Sequence, residues 1–550
     1  MRSAFDGWRL GAICIAMPVA LPVVFIFSSF LHPEKEIWQH LVDTILAELM
    51  LNTGILATGV LTGTFLIGVS LAWLTGVCEF PGRKLLSWAL LLPLAIPTYV
   101  LAFVFLGIFD FSGPGQTFLR SFNPAQKIWF PNARSSLGVV SVMSLALYPY
   151  VYLLARNAFR TQGRKALEAA QSLGYSRWKA FYKVSLPMAH PWIAGGLMLV
   201  LMEALADFGA VSIFNFDTFT TAIYKAWYGF FSLAAAAQLS SVLILIIFAV
   251  KMFEQKIRSR MRFTEVGKPL QGSSKFVLLV GWRRWAASIY GFSVLLVAFA
   301  IPFIQLLVWS VKTYSEEIHT GYFGFLWRSL FFALFASLVI TSCALFLVYT
   351  QRRNKDKATQ MMVEISTLGY ALPGTVLAVG LVFTMSYTDR LLAELVNQFG
   401  RTIPGNFISG TFFTVIIAYM VRFMAVGFNP IASAMHRITP NLDEASISLG
   451  VSGMSLLKRV HVPMLRNGIF TAAMLAFVDV IKEMPITLMT RPFGWDTLAV
   501  KVFELTSEGE WQRAALPATV IVIAGLLPVV FLTSQTERDM NSRAHAGYRR

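Results

Sequence analysis

The sequence predicts an all-α polytopic membrane protein whose twelve transmembrane helices form a tandem repeat of two six-helix units. The 550 residues are 56% hydrophobic and only 14% charged, and the mean hydropathy is +0.62, which is too apolar for a soluble globular protein. Apolar runs of about 20 residues, enough to cross a bilayer core of about 30 Å, occur throughout the chain. A polar stretch of the first half also returns with the same internal spacing in the second half.

The apolar runs divide into two sets of six. The first run follows basic residues and has features of a signal peptide. Its long apolar core, and a matching run at the start of the second set, favour a retained span instead. The first set lies near 10–30, 50–76, 85–109, 136–158, 191–213 and 236–253, and the second near 286–310, 325–350, 363–387, 411–434, 468–490 and 514–533.

The placement of positive charge predicts the orientation. A net charge of +17 could suggest nucleic acid, but in a membrane protein Lys and Arg concentrate in the cytoplasmic loops. Most of the 46 Lys and Arg residues fall in segments that are cytoplasmic if the N-terminus is inside. We therefore expect both termini in the cytoplasm and no nucleic-acid partner. Cys14, Cys78 and Cys343 have neither metal-ligand nor disulfide-framework spacing.

The repeated stretch is "LEAAQSLGYSRWKAFYKVSLP" at 167–187 and "DEASISLGVSGMSLLKRVHVP" at 443–463. Each copy has a glutamate, a glycine six residues later and a proline thirteen residues after that, and the copies lie 276 residues apart, half the chain length. Both units begin on the same side, which indicates a parallel repeat. We predict a first unit at 1–253, a basic connector at 254–284 suited only to contact with lipid headgroups, a second unit at 285–535, and a cytoplasmic tail at 536–550.

Both copies lie in predicted cytoplasmic loops between spans four and five, named here the first repeat loop (162–190) and the second repeat loop (437–467). In each, a carboxylate precedes small residues, a glycine permits a bend, and a proline is expected to end the segment. Two short helices with a small, flat face would form a protrusion suited to docking. A surface-bound amphipathic helix is the alternative, but duplication with identical spacing favours docking.

This pattern resembles the cytoplasmic loop of the permease subunits of binding-protein-dependent ABC importers, and the resemblance covers essentially the whole chain. It implies two permease domains of the type I importer fold in a bacterial inner membrane. The partners implied are two copies of an ATPase subunit, which carry ATP and Mg, and a periplasmic binding protein. The ATPase-coupling residues implied are Glu168, Ala169, Ala170, Gly174 and Pro187 in the first loop and Glu444, Ala445, Ser446, Gly450 and Pro463 in the second. Ser446 and Val462 depart slightly from the family pattern.

The chain carries no motif for chemistry of its own. The sequence contains no G-x-x-x-x-G-K-[ST] phosphate loop, no H-E-x-x-H metal motif and no G-x-S-x-G nucleophile motif. We therefore expect a transport subunit that is not an enzyme and holds no cofactor, with ATP hydrolysed by another polypeptide.

Acidic residues inside predicted spans indicate a substrate path, because ionisable groups are costly there and usually functional. Glu203 and Asp207 are four residues apart, which would place them on one helix face, and the 276-residue shift converts them to Asp479 and Glu483. We expect the four carboxylates to approach the axis between the halves and to contact a hard metal cation transiently. The alternative is structural ion pairing of the second pair with Arg422 and Lys482.

Two further stretches resemble the fused two-domain permeases of ferric-iron importers: "EALADFGAVSIFNFDTFTTAIYKAWYG" and "IKEMPITLMTRPFGWDTLAVKVFEL". The resemblance implies ferric iron as the cargo, with thiamine, sulfate or molybdate, and polyamines as open alternatives. A secondary transporter driven by an ion gradient would also fit twelve helices and buried carboxylates. It would not explain the duplicated loops.

Overall fold

The computed structural model describes residues 7–31, 35–122, 132–260, 276–318, 320–399 and 407–547, which are almost entirely helical. Part of the predicted connector, 261–275, and the last three residues of the predicted tail lie outside this range. The helices of the first half are α1 Gly7–Ser28, α2 Lys35–Thr44, α3 Leu46–Val77, α4 Arg83–Ala89, α5 Thr98–Phe109, α6 Pro114–Phe122, α7 Ser136–Ala158, α8 Arg164–Ser172, α9 Arg177–Ala180, α10 Leu186–Ala206, α11 Gly209–Ile213, α12 Phe219–Tyr228 and α13 Leu233–Arg260.

The second half repeats this order of long and short helices. Its helices are α14 Trp282–Leu295, α15 Ile301–Glu317, α16 Thr320–Arg353, α17 Lys357–Thr367, α18 Gly374–Gln398, α19 Phe412–Met435, α20 Pro440–Ser448, α21 Gly453–Leu456, α22 Val462–Lys482, α23 Pro485–Thr490, α24 Leu498–Ser507 and α25 Trp511–Gly547. The described part of the chain contains twelve helical segments long and apolar enough to cross a membrane, which confirms the predicted number of spans.

The third span of each repeat begins later than predicted, at Thr98 and at Gly374. The runs at 85–109 and 363–387 were each expected to be one helix, but a 3-10 turn interrupts them at Leu92–Ala95 and Leu368–Ala371. Helix α5 then begins after Pro97 and helix α18 after Pro373. Proline disfavours helical conformation in the residue before it, so the apolar run continues while the helix does not.

Contacts divide the chain into two compact units. The 46–218 unit comprises 46–218, 245–314 and 505–550, and the 315–504 unit comprises 1–45, 219–244 and 315–504. The first unit is built on the mutually packed helices α3, α7 and α10, and the second on α16, α19 and α22. These are spans two, four and five of each repeat, so the repeat in sequence is also a repeat in structure.

The first span of each repeat belongs to the unit formed by the other repeat. Helix α1 packs on α16, α17 and α18 in the 315–504 unit, and α14 contacts α4 in the 46–218 unit. Glycines provide the close approach: a Cβ on Gly380 would lie 2.7 Å from Ile26 Cδ1, and a Cβ on Gly107 would lie 2.7 Å from Trp309 Cη2. The predicted bounds 1–253 and 285–535 therefore describe the repeat, whereas each compact unit also includes the first span of the other repeat and a segment near its end, 219–244 or 505–550.

The end of the predicted connector is structured. Strand β2 (Val277–Leu278) pairs in parallel with strand β1 (Cys78–Glu79) in the 46–218 unit. The Leu279 amide donates to the Glu79 carbonyl at 3.2 Å, and the Arg83 guanidinium lies 3.8 Å from the centre of the Phe276 ring. These contacts fix the segment that leads into α14 against the turn between spans two and three.

Candidate functional site

The first repeat loop begins with α8, which ends in a Schellman turn. Gly174 has φ +85°, its amide donates to the Gln171 carbonyl at 2.9 Å, and the Tyr175 amide donates to the Ala170 carbonyl at 3.0 Å. This pair of bonds satisfies carbonyls that the helix end leaves without partners. The glycine therefore reverses the chain at a defined angle between α8 and α9.

The second repeat loop makes the same turn after α20. Gly450 has φ +81°, its amide donates to Ile447 at 2.9 Å, and the Val451 amide donates to Ser446 at 2.9 Å. A Cβ at Gly174 or Gly450 would meet nothing within 4 Å. Glycine is needed at both positions for its backbone conformation and not for lack of space.

Each loop runs directly into a membrane-spanning helix. After α9 and α21 the backbone forms a π-helical turn, at Phe181–Ser185 and Leu457–His461, that continues into α10 and α22. Pro187 and Pro463 are the second residues of these helices and directly follow the last bond of the π-helical turn. The prediction that these prolines end the loop segment is wrong, because the helical backbone continues through them from the loop into the membrane-spanning helix.

The two loops expose matching surfaces. The carboxylate and the first small residue of each are exposed, whereas Ala170 is buried and Ser446 is half-buried. Beyond them, Leu173 is 78% exposed and Leu449 is 83% exposed. Single exposed apolar side chains are common on protein surfaces, so what relates the two loops is that these leucines occupy matching positions on equivalent turns. The exposed carboxylates and small residues are Glu168, Ala169, Glu444 and Ala445.

The intramembrane carboxylates do not share a helix face as predicted. Helix α10 ends at Ala206, and Asp207 follows it in an extended conformation with ψ 130°. Helix α22 ends at Lys482, and Glu483 is likewise extended with ψ 120°. Only Glu203 and Asp479 lie within the helices, so the four-residue spacing does not place the two carboxylates of a pair on one helix face. All four side chains are half-buried.

Asp207 and Glu483 each cap the short helix that follows. The Ala210 amide donates to Asp207 Oδ1 at 2.8 Å, and the Thr98 hydroxyl donates to Asp207 Oδ2 at 2.5 Å. In the second repeat, the Ile486 amide donates to Glu483 Oε1 at 3.2 Å. A carboxylate at this position satisfies an otherwise unpaired amide and faces the positive end of the helix dipole.

Sequence reasoning missed the residue that faces each capping carboxylate. The 276-residue shift converts Thr98 to Gly374, and a Cβ on Gly374 would lie 3.0 Å from Glu483 Oε1. The first repeat thus combines threonine with the shorter aspartate, and the second combines glycine with the longer glutamate. The 276-residue shift makes this paired change of size visible in the sequence, but it does not show that the two positions are in contact.

Arg422 bonds to main-chain oxygens. Its Nη1 donates to the carbonyls of Leu372 and Tyr370, in the segment that leads into α18. The guanidinium carbon also lies 5.7 Å from the centre of the Tyr370 ring. Arg422 therefore donates hydrogen bonds to carbonyls that have no intrahelical partner where the helix is interrupted. Within the described ranges, no group of three or more His, Cys, Asp and Glu side chains is arranged to hold a metal ion.

Comparison with known proteins gives the class. Residues 65–259 match the family described as "Binding-protein-dependent transport system inner membrane component". Over 526 residues, 94% of this chain and 96% of the relative, the chain is 26% identical to the Fe(3+)-transport system permease protein FbpB 2 of Haemophilus influenzae.

Other relatives match shorter stretches. The chain is 22% identical over 414 residues to the ferric transport system permease protein FbpB of Actinobacillus pleuropneumoniae, covering 72% of this chain and 58% of that protein. It is 29% identical over 204 residues to the molybdate/tungstate permease WtpB of Thermococcus kodakarensis, covering 37% of this chain and 74% of that protein.

The twelve apolar helical segments and these similarities together support a multi-pass permease of the inner membrane, in which two permease units are fused in one chain. The chain is similar to binding-protein-dependent importer permeases, and among the relatives named above it resembles the ferric transport permeases over the greatest length.

Proposed function

We propose that the chain is the permease subunit of an ATP-driven importer that moves ferric iron from a periplasmic binding protein to the cytoplasm. The cargo is inferred from the extent of the similarity to permeases of named substrates. Similarity to the Fe(3+) permease runs through both repeats, over 94% of this chain, whereas similarity to the molybdate/tungstate permease WtpB and to the sulfate permease CysW of Escherichia coli covers 37%.

The two repeat loops are the proposed docking sites for two copies of an ATPase subunit, one per loop. Both loops present an exposed glutamate, an exposed alanine and a leucine at the tip, on equivalent Schellman turns. ATP and Mg belong to the partner subunits in this proposal, and the chain itself needs no cofactor. The loops and both termini face the cytoplasm, as the distribution of Lys and Arg favours.

The proposed cycle is alternating access. When ATP draws the ATPase subunits together, the loops move with them, and each loop transmits the displacement through its π-helical turn to α10 or α22. These helices end immediately before Asp207 and Glu483, the residues that accept an amide of the following short helices. A displacement of a loop therefore reaches the carboxylates along a continuous helical path within each unit.

The proposed substrate path includes Glu203, Asp207, Asp479 and Glu483. Carboxylate oxygens suit a hard, highly charged cation, and each unit places its pair at the end of the span that the loop drives. Iron is cargo here, so its contact with these groups is transient.

Uptake into proteoliposomes tests the proposal. The chain is reconstituted with the ATPase and binding protein encoded by neighbouring reading frames, and labelled iron is compared with sulfate and thiamine. We expect iron uptake that requires ATP, the ATPase and the binding protein. Sulfate or thiamine uptake without iron uptake would overturn the cargo. Uptake that follows an imposed ion gradient without the ATPase would instead indicate the secondary transporter that the buried carboxylates also fit.

A further inference from the structure

The second repeat loop is tied to the helix bundle by one arginine at the end of α16. The Arg352 Nε lies 2.6 Å from Asp443 Oδ2 in α20. The same guanidinium donates to three carbonyls between α19 and α20, at 3.0–3.2 Å, which belong to Met435, Ile438 and Thr439. The side chains of Arg352 and Asp443 are only 15% and 23% exposed, so this fork of bonds is largely shielded from water.

Asp443 also lies close to the segment that leads into the next span. Its Oδ1 lies 3.2 Å from Nε2 of His461, a fully buried residue at the end of the π-helical turn that leads into α22. The Tyr349 hydroxyl, on α16, donates to the Gly453 carbonyl in α21 at 2.9 Å, and its ring lies 5.5 Å from that of His461. Both arms of the second loop are therefore bonded to α16.

The first repeat loop is held by different chemistry at the equivalent positions. Shifting Arg352, Asp443, His461 and Tyr349 by 276 residues gives Gly76, Leu167, Ser185 and Trp73. The Trp73 ring lies 5.3 Å from that of Phe159 and 4.4 Å from that of Phe181, and Leu167 is buried. An aromatic and aliphatic cluster takes the place of the polar network.

We propose that Arg352 is the positioning residue that fixes the second repeat loop to α16 so that a force on α20 reaches α22, while Trp73 and its aromatic neighbours fix the first loop. The transmission of a force through the loop rests on the proposed function, whereas the anchoring of the loop to α16 does not. Arginine suits this place because its planar fork can bond a carboxylate and several carbonyls together, which lysine cannot do. The two loops are thus equivalent in shape and can be loosened separately.

Spin labels on the full chain in lipid nanodiscs test the anchoring without any partner. A labelled unnatural amino acid is placed at position 449 or at position 173, the exposed tips of the two loops. We expect Arg352→Ala to produce a mobile spectral component at 449 and none at 173, and Trp73→Ala to produce the reverse. A mobile component at both positions, or at neither, in Arg352→Ala would overturn the proposal.

Two further variants guard against simple misfolding. Asp443→Asn keeps the shape of the side chain and the bonds from Arg352 to the carbonyls, so we expect a partial gain of mobility at 449. Lys355→Ala removes an exposed positive charge three residues beyond Arg352 and should leave both labels unchanged. Mobility in Lys355→Ala equal to that in Arg352→Ala would show a general effect of charge and contradict the proposal.

The assembled importer provides the functional measurement. In Arg352→Ala, we expect iron uptake per ATP hydrolysed to fall at least about tenfold, since charge-assisted bonds of this kind shift an equilibrium by that factor or more, with hydrolysis retained. Equal losses of uptake and hydrolysis, with the label at 449 still immobile, would assign Arg352 a general structural role and overturn the proposal. If the ATPase does not bind this chain at all, the proposed function is wrong. The spin-label spectra at 449 and 173 would still show whether Arg352 anchors the second loop.

Discussion

At the scale of single residues, the two glycines of the repeat loops determine the shape of the proposed docking surface. Both adopt positive φ in open surroundings, so the effect of a substitution depends on conformation alone. A side chain with a Cβ costs about 1–2 kcal/mol in this region, and a β-branched one is less favourable still. Asparagine tolerates the same conformation much better.

We therefore predict that Gly174→Val uncouples iron uptake from ATP hydrolysis, because the valine disfavours the Schellman turn that sets the angle between α8 and α9. Gly174→Asn should retain most of the coupling. The measurement is uptake per ATP hydrolysed in proteoliposomes, with membrane insertion checked by gel filtration of the extracted protein. Uptake by Gly174→Val equal to that of the unchanged chain would count against a coupling role for this turn.

A second residue-scale prediction separates two roles of Asp207. Asparagine retains an oxygen that can accept a hydrogen bond from the Ala210 amide, so Asp207→Asn should keep this bond. We expect its free energy of unfolding to stay within about 0.5 kcal/mol of that of the unchanged chain. It removes the charge, and we expect iron uptake to fall. Asp207→Ala removes the cap as well and should also destabilise the protein by about 1 kcal/mol.

Thermal unfolding in detergent and labelled-iron uptake, measured on the same preparations, distinguish these cases. Normal uptake by Asp207→Asn together with a destabilised Asp207→Ala would leave Asp207 as a structural cap only. The equivalent substitutions at Glu483 provide the comparison in the other unit.

At the scale of helices, glycine positions decide how the exchanged first span packs. Gly380→Ala places a Cβ within 3 Å of Ile26 and Pro22, and we expect it to destabilise the protein by about 1–3 kcal/mol through overpacking. Gly54→Ala is the matched control, because a Cβ there meets nothing within 4 Å. It should be neutral or stabilise the protein by up to about 1 kcal/mol through helix propensity. Thermal unfolding that ranks the two variants in the opposite order would contradict the packing.

The sequence predicted those features that depend on one segment at a time. The lengths of the apolar runs predicted twelve spans, and the 276-residue shift related the two loops. Both signals can be read from the sequence because hydropathy and spacing are local properties. The breaks before α5 and α18 were also readable, since Pro97 and Pro373 stand in equivalent positions inside apolar runs. Taking each run as one helix gave too little weight to the effect of proline on the preceding residue.

What could not be predicted depends on contacts between distant segments. Nothing in the spacing of Asp207 reveals that Thr98 donates to it, and nothing near Asp443 points to Arg352, 91 residues earlier. The exchange of the first spans likewise depends on which helix meets the glycines at 107 and 380. Such pairings follow from the tertiary fold, so the same-face argument for the carboxylates failed where a helix ended.

At the scale of the whole molecule, the proposed function assigns ATP hydrolysis to a separate subunit. The sequence contains no phosphate loop, so we predict that the purified chain hydrolyses no ATP, and that hydrolysis appears only when the ATPase subunit is added. A coupled-enzyme assay in nanodiscs measures this directly. Robust hydrolysis by the chain alone, retained after further purification, would contradict the division of labour.

The most direct test of the account is photo-crosslinking from the loops themselves. Photoreactive amino acids at positions 169 and 445, both exposed, are activated in membranes that contain the full importer, with position 137, exposed at the other end of a span, as the control. The account predicts crosslinks to the ATPase subunit from both loops and none from the control. Crosslinks from 169 and 445 to lipid alone would contradict it.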